Sequence, residues 1–133
     1  MIYQETENLK QLAKSWNNLD ISFIEKELAE NFTYESQWVL IPIEGKKEFL
    51  DYMQSKFQAI KSAMQQETMT VSAELALHPA IQNKPIIVLT QITGEGVRQV
   101  SLLIKIENEK IKRIDVCFIP DPTEAVLTGE FPK

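Results

Sequence analysis

The feature that most constrains this chain is the change of hydrophobic period along it. Apolar residues recur at helical spacing from Leu9 to Leu28, alternate from Phe32 to Leu40, return to helical spacing from Gly45 to Ile60, and then alternate until Pro120. Helices followed by a run of hairpin-linked strands predict an α+β fold, with a curved, largely antiparallel sheet wrapped around the helices and a pocket between them.

Leu9, Leu12, Ala13 and Trp16 stand at i, i+3, i+4 and i+7 and lay one stripe along a first helix. Asn17 and Asn18 break that pattern. Asp20 can cap a second helix whose Ile21, Ile24 and Leu28 share a face, closed by Asn31. In the first strand Phe32, Tyr34, Ser36, Trp38 and Leu40 form the row expected inside. Gly45 opens a third helix that buries Phe49, Met53, Phe57 and Ile60.

The later strands follow the same logic. Met69, Val71, Ala73, Leu75 and Leu77 face inward, and Ile86 to Leu89 reads as a strand covered on both faces. Gly94-Glu95-Gly96 marks a hairpin before Val100, Leu102, Ile104 and Ile106. Ile114, Val116 and Phe118 form the inner row of a last strand ended by Pro120. Residues 121–133 show no period and read as an irregular tail able to cover the pocket or a partner.

With 133 residues, 44% of them hydrophobic, the chain suits one domain over 1–133 that buries about two-thirds of its unfolded surface. No apolar run reaches membrane-spanning length, and MIYQETENLK lacks a basic-then-apolar leader pattern. A lone Cys117 cannot form an intrachain disulfide, so the reading is a cytoplasmic protein. A net charge of −5 without a basic stripe argues against nucleic acid as a partner. His78 is the only histidine, read as a turn residue on the outward row beside Pro79; with no second histidine or cysteine nearby, neither a metal site nor a cofactor is expected.

Three short stretches carry a family likeness: Trp16-Asn17-Asn18-Leu19-Asp20, Phe32-Thr33-Tyr34-Glu35, and Gly45-Lys46-Lys47-Glu48-Phe49. Together they resemble the nuclear transport factor 2-like superfamily, which includes ketosteroid isomerases and SnoaL-like polyketide cyclases. The resemblance, from about Asn8 to Pro120, implies a cone-shaped α+β barrel with a deep cavity, commonly paired into homodimers through the outer face of the sheet. A member with isomerase activity uses a tyrosine on the first helix, a protonated aspartic acid on a late strand and an aspartate base on the first strand. Those places fall here on Leu12, Leu102 and Ser36, which supply neither oxyanion donors of that kind nor a base. The isomerase mechanism does not carry over.

On this reading Trp16, Tyr34, Ser36, Trp38, Leu102, Ile114, Val116 and Phe118 converge on the interior, with Arg98 nearer the rim. Such a lining suits a small, flat, mostly apolar or aromatic ligand. Tyr34 can donate to a ligand carbonyl or simply bond to a neighbouring strand. Arg98 can meet a carboxylate at the mouth or lie solvated along apolar surface. No catalytic residue is assigned.

Three functions stay open. The first is a ligand-binding domain without the isomerase set. The second is an isomerase, cyclase or dehydratase using Tyr34 with Glu35 or Asp115, which requires a one-residue slip turning the carboxylates inward. The third is an interaction module, packed solid, whose outer row (Glu35, Gln37, Gln99, Arg113, Asp115, Cys117 and neighbours) docks a partner.

Overall fold

The computed structural model describes residues 2–37 and 39–133. The N-terminal helical spacing forms α1 (Ile2–Asn18), whose Leu9, Leu12, Ala13 and Trp16 are all buried. Leu19 turns the chain at φ 52°, and Asp20 Oδ1 accepts a 2.9 Å hydrogen bond from the Ser22 N–H to start α2 (Ser22–Glu25), a single turn.

The second helix is shorter than its spacing predicts. Leu28 opens β1 (Leu28–Ser36), opposite Ile111, and Asn31 lies within that strand. The competing interaction is non-local: the Glu27 carbonyl accepts from the Ile111 N–H at 2.7 Å, which draws the backbone into the sheet. The stretch expected to be one strand is two. After Gln37 the chain folds back as β2 (Val39–Glu44), with Ser36 opposite Val39. Trp38 lies outside the described residues.

Gly45 precedes α3 (Lys46–Gln65) at φ 98°, a conformation open to glycine and strained for other residues. Phe49, Met53, Phe57 and Ile60 form its buried stripe, as their spacing predicts. Four strands follow by hairpins: β3 (Met69–His78), β4 (Lys84–Thr93), β5 (Gly96–Glu107) and β6 (Lys110–Cys117). A short β7 (Val126–Leu127) lies in the tail.

Among the described residues one sheet runs in the order β2-β1-β6-β5-β4-β3-β7. Its pairings are antiparallel except β1 with β6, which are parallel. The outermost strands β2 and β7 are not paired to each other, so the sheet stays open around the helices. Helix α1 lies against β3, β4 and β5, and α3 against β1, β2 and β3. The fold is α+β, and no described helix is long and apolar enough to cross a membrane.

The sheet carries apolar material on both faces. The main core fills the space between helices and sheet, while Ala76, Ile86 and Val88 form a second cluster with Ile81, Leu103 and Ala125 on the outer side. This explains the unbroken apolar run in β4. It also gives the tail a place. A 3-10 turn, Pro122–Glu124, packs against β5, and β7 pairs along the edge of β3 with Ala76 opposite Leu127. The tail is part of the fold.

His78 is fully buried there, where the sequence suggests a turn residue. It ends β3 and begins a 3-10 turn, Pro79–Ile81, but the tail covers it. Its Nδ1 accepts from the Ala80 N–H at 3.1 Å, so the ring proton lies on Nε2, which donates to the Asp121 carbonyl at 2.7 Å.

Candidate functional site

The inward row of β1, the end of α1 and one flank of α3 meet in a cluster of rings. Tyr34 packs against Phe49 at a centroid distance of 5.0 Å and against Tyr52 at 5.7 Å. Trp16 meets Phe57 edge-on at 5.0 Å and 77°, a favourable quadrupole arrangement. Lys56 reaches over two of these rings, its Nζ 5.8 Å from the Trp16 centroid and 5.7 Å from that of Tyr52.

Tyr34 has the polar group buried deepest in this cluster. Its hydroxyl lies close to those of Tyr52 and Ser36. Burial pushes it well above the ordinary tyrosine range; the neighbouring Tyr52 phenol pushes the same way, and the Ser36 hydroxyl pulls back. Tyr34 therefore stays protonated at neutral pH, a hydrogen-bonding group and not a base. Ser36, intermediate in exposure, is its partner on the same strand.

The other expected lining residues divide into three groups. Leu102, Ile114 and Val116 do face inward, in the same buried cluster as Tyr34 and Trp16, with Leu102 and Ile114 each keeping only 1% of their surface. Arg98 shares their row on β5, yet Ile104, not Arg98, stands level with Ile114 and Tyr34. Six residues of strand put Arg98 about 20 Å away. It lines a surface groove of about 730 Å³ at the β4–β5 hairpin, together with Glu67 and Glu95.

Phe118 does not continue the inner row. Strand β6 ends at Cys117, the Phe118 N–H donates to Gln37 Oε1, and the Ser101 hydroxyl holds the Pro120 carbonyl at 2.7 Å, which carries the chain outward. Phe118 is 39% exposed, in a groove with Val97, Gln99 and Pro122.

The carboxylates of the acid–base alternative are on the opposite face. Glu35 and Asp115 are direct neighbours across β1 and β6, and Arg113 Nη2 binds both at 2.9 Å, while the adjoining Tyr34 and Ile114 are buried inside. No slip turns them inward. Cys117 lies beside them, and burial together with the charge of Asp115 pushes its thiol up against the pull of Arg113, so it is no ready nucleophile.

Sequence reasoning missed Tyr52 and Lys56. A signal existed: Tyr52 follows Phe49 by three residues and precedes Lys56 by four, so all three share one side of α3.

No protein-family model matches the sequence, and neither does any curated protein. Solved structures do match. A protein of unknown function from Mesorhizobium loti, described as NTF2-like, superposes with a TM-score of 0.64 at 10% identity, over 86% of this chain and 90% of that one. A second NTF2-like protein of unknown function, from Cytophaga hutchinsonii ATCC 33406, gives 0.57 at 15% identity over 88% and 97%. A steroid delta-isomerase from Pseudomonas aeruginosa gives 0.63 at 12% identity over 86% and 78%.

The fold is nuclear transport factor 2-like. Identities this low establish the cone architecture and leave chemistry to the side chains. In this nuclear transport factor 2-like cone Leu12 and Leu102 are both buried at 1% exposure, and no Asp or Glu is among the buried described residues. What the cluster offers is ring faces, hydroxyls and one ammonium: means of binding and orienting a molecule.

Proposed function

We propose that this nuclear transport factor 2-like domain binds a small apolar or aromatic molecule at the ring cluster where α1, α3 and β1 meet, without the isomerase acid–base set. One observation carries the reading: a buried Tyr34, its hydroxyl close to those of Ser36 and Tyr52, lies among tilted aromatic rings, with Lys56 reaching over Tyr52 and Trp16. Rings supply contact area at low entropic cost, and hydroxyls fix orientation. Native mass spectrometry of the purified protein, with titration of tryptophan emission by small aromatics, tests it. A co-purifying mass, or a saturable change lost in Trp16→Leu, supports the reading. A ligand-free spectrum and no saturable response remove it. A cytoplasmic location belongs to the same proposal, resting on an unpaired Cys117.

A second reading, compatible with the first, makes the outer face of the sheet a homodimer surface. Ile92 and Val97 stand opposite each other in the outward register, 47% and 66% exposed, and Ile119 nearby is 80% exposed. Apolar surface of this kind, on the same outward row as the charged Arg113 group at the other end of the strands, suits a second copy. Light scattering across concentration tests it: a dimer converted to monomer by Val97→Lys with Ile119→Lys supports it, and a monomer at every concentration removes it.

A further inference from the structure

Resting on the ligand-binding reading above, we infer that the molecule taken by the ring cluster is an aromatic anion, a small aromatic carboxylate in the simplest case, with Lys56 as its counter-ion. Among the described lysines, Lys56 lies in an aromatic setting. Lys10, Lys46, Lys47 and Lys84 each lie within 3.8, 3.9, 3.1 and 3.4 Å of a carboxylate. Lys56, like seven other lysines, forms no ion pair with any described Asp or Glu; what sets it apart among the described residues is the pair of aromatic rings it lies over. Its ammonium is held instead by the faces of Trp16 and Tyr52.

Ring faces attract an ammonium but accept none of its three N–H donors in the way a carboxylate oxygen does. The charge thus lies over the rings with hydrogen-bonding capacity to spare, one helical turn from Tyr52 on the same side of α3. A flat ligand ring stacking on Trp16 or Tyr52 brings an attached carboxylate to that ammonium, and hydroxyl donors can meet its second oxygen. A neutral apolar ligand leaves Lys56 without a role. The other basic residue considered for anion contact, Arg98, shares its groove with Glu67 and Glu95, which disfavour a negative ligand.

The test is calorimetric titration of the full chain with benzoate and benzamide, a pair equal in shape and unequal in charge. Benzoate is expected to bind roughly tenfold or more tightly than benzamide, with affinity falling as salt rises. Lys56→Gln abolishes that preference and Lys56→Arg keeps it. Equal binding of the two, or a preference that survives in Lys56→Gln, overturns the anion assignment and leaves the binding site standing. Failure of both to bind overturns the binding reading and the anion assignment with it. Should Lys56→Gln fail to fold, the salt dependence of the benzoate preference in the parent chain decides: a salt-insensitive preference overturns the assignment.

Discussion

The side chain of Asn17 forms both main-chain hydrogen bonds of Ala73: its Oδ1 accepts from the Ala73 N–H at 2.7 Å, and its Nδ2 donates to the Ala73 carbonyl at 2.9 Å. The same Nδ2 donates to the Pro132 carbonyl at 2.7 Å. A carboxamide at the end of α1 thus stands in for a residue of a neighbouring strand. It continues along β3 the cover that the tail provides through Leu75 N–H to Glu130 O at 2.9 Å and Thr128 N–H to Leu75 O at 3.1 Å.

Asn17→Ala removes these bonds and leaves the groups of Ala73 without protein partners. The expected loss of stability is about 1–3 kcal/mol, read as a lower urea midpoint with an unchanged slope. Asn17→Asp is expected to do no better than alanine, because it sets an acceptor against the carbonyls of Ala73 and Pro132. A midpoint equal to that of the parent would show that water replaces the carboxamide at no cost.

His78→Phe tests the second anchor of the tail. It keeps much of the ring volume but loses the bonds to Ala80 and Asp121. The expected cost is about 1–3 kcal/mol, with faster hydrogen exchange at Thr128 and Gly129 than at core amides of β4 and β5. Uniform acceleration across the sheet would mean that the tail opens only when the whole domain unfolds.

Tyr34 makes stability sensitive to alkali. Its hydroxyl is raised from an ordinary value of 10.0 by burial first and Tyr52 second, so above about pH 10 the unfolded chain releases this proton while the native state keeps it. The native state then binds more protons, and stability falls as pH rises, by up to about 1.4 kcal/mol per pH unit from this one group. Below pH 10 the contribution is fully present. Urea midpoints taken between neutral pH and pH 11 should fall more steeply for the parent than for Tyr34→Phe; parallel curves would show that Tyr34 ionises without unfolding.

Phe57→Ala removes the edge-on partner of Trp16 from the buried ring cluster. The expected destabilisation is about 3–5 kcal/mol, with a red shift of tryptophan emission as water reaches the indole. A loss below 1 kcal/mol would show that α3 shifts to close the gap.

Where periodicity and tertiary contact agree, the sequence was readable. Phe49, Met53, Phe57 and Ile60 keep helical spacing because α3 packs along its whole length on one sheet face. Tyr34, Leu102, Ile114 and Val116 are inside because alternation leaves them little choice. Leu28 misleads because its spacing from Ile21 and Ile24 fits a helix, while its real partner, Ile111, is remote in sequence and parallel. Ile111 and Ile114 are both buried although three apart, since the β5–β6 register shifts at Lys105 and Ile106. The roles of Asn17, His78, Tyr52 and Lys56 depend on partners that no local pattern specifies.

The cover over β3 also bears on how the protein behaves once damaged. Val126 and Leu127 are more than half exposed, so β7 itself is held chiefly by main-chain bonds and not by burial. A protease cut near Ile119 that freed the last dozen or so residues would bare a row of unsatisfied amides along β3 and strip Ala76, Ile86 and Val88 of their roof. The nicked molecule would be sticky along one ribbon, prone to stack on its own kind, and its solubility would decline with age in the tube well before its helices unravelled.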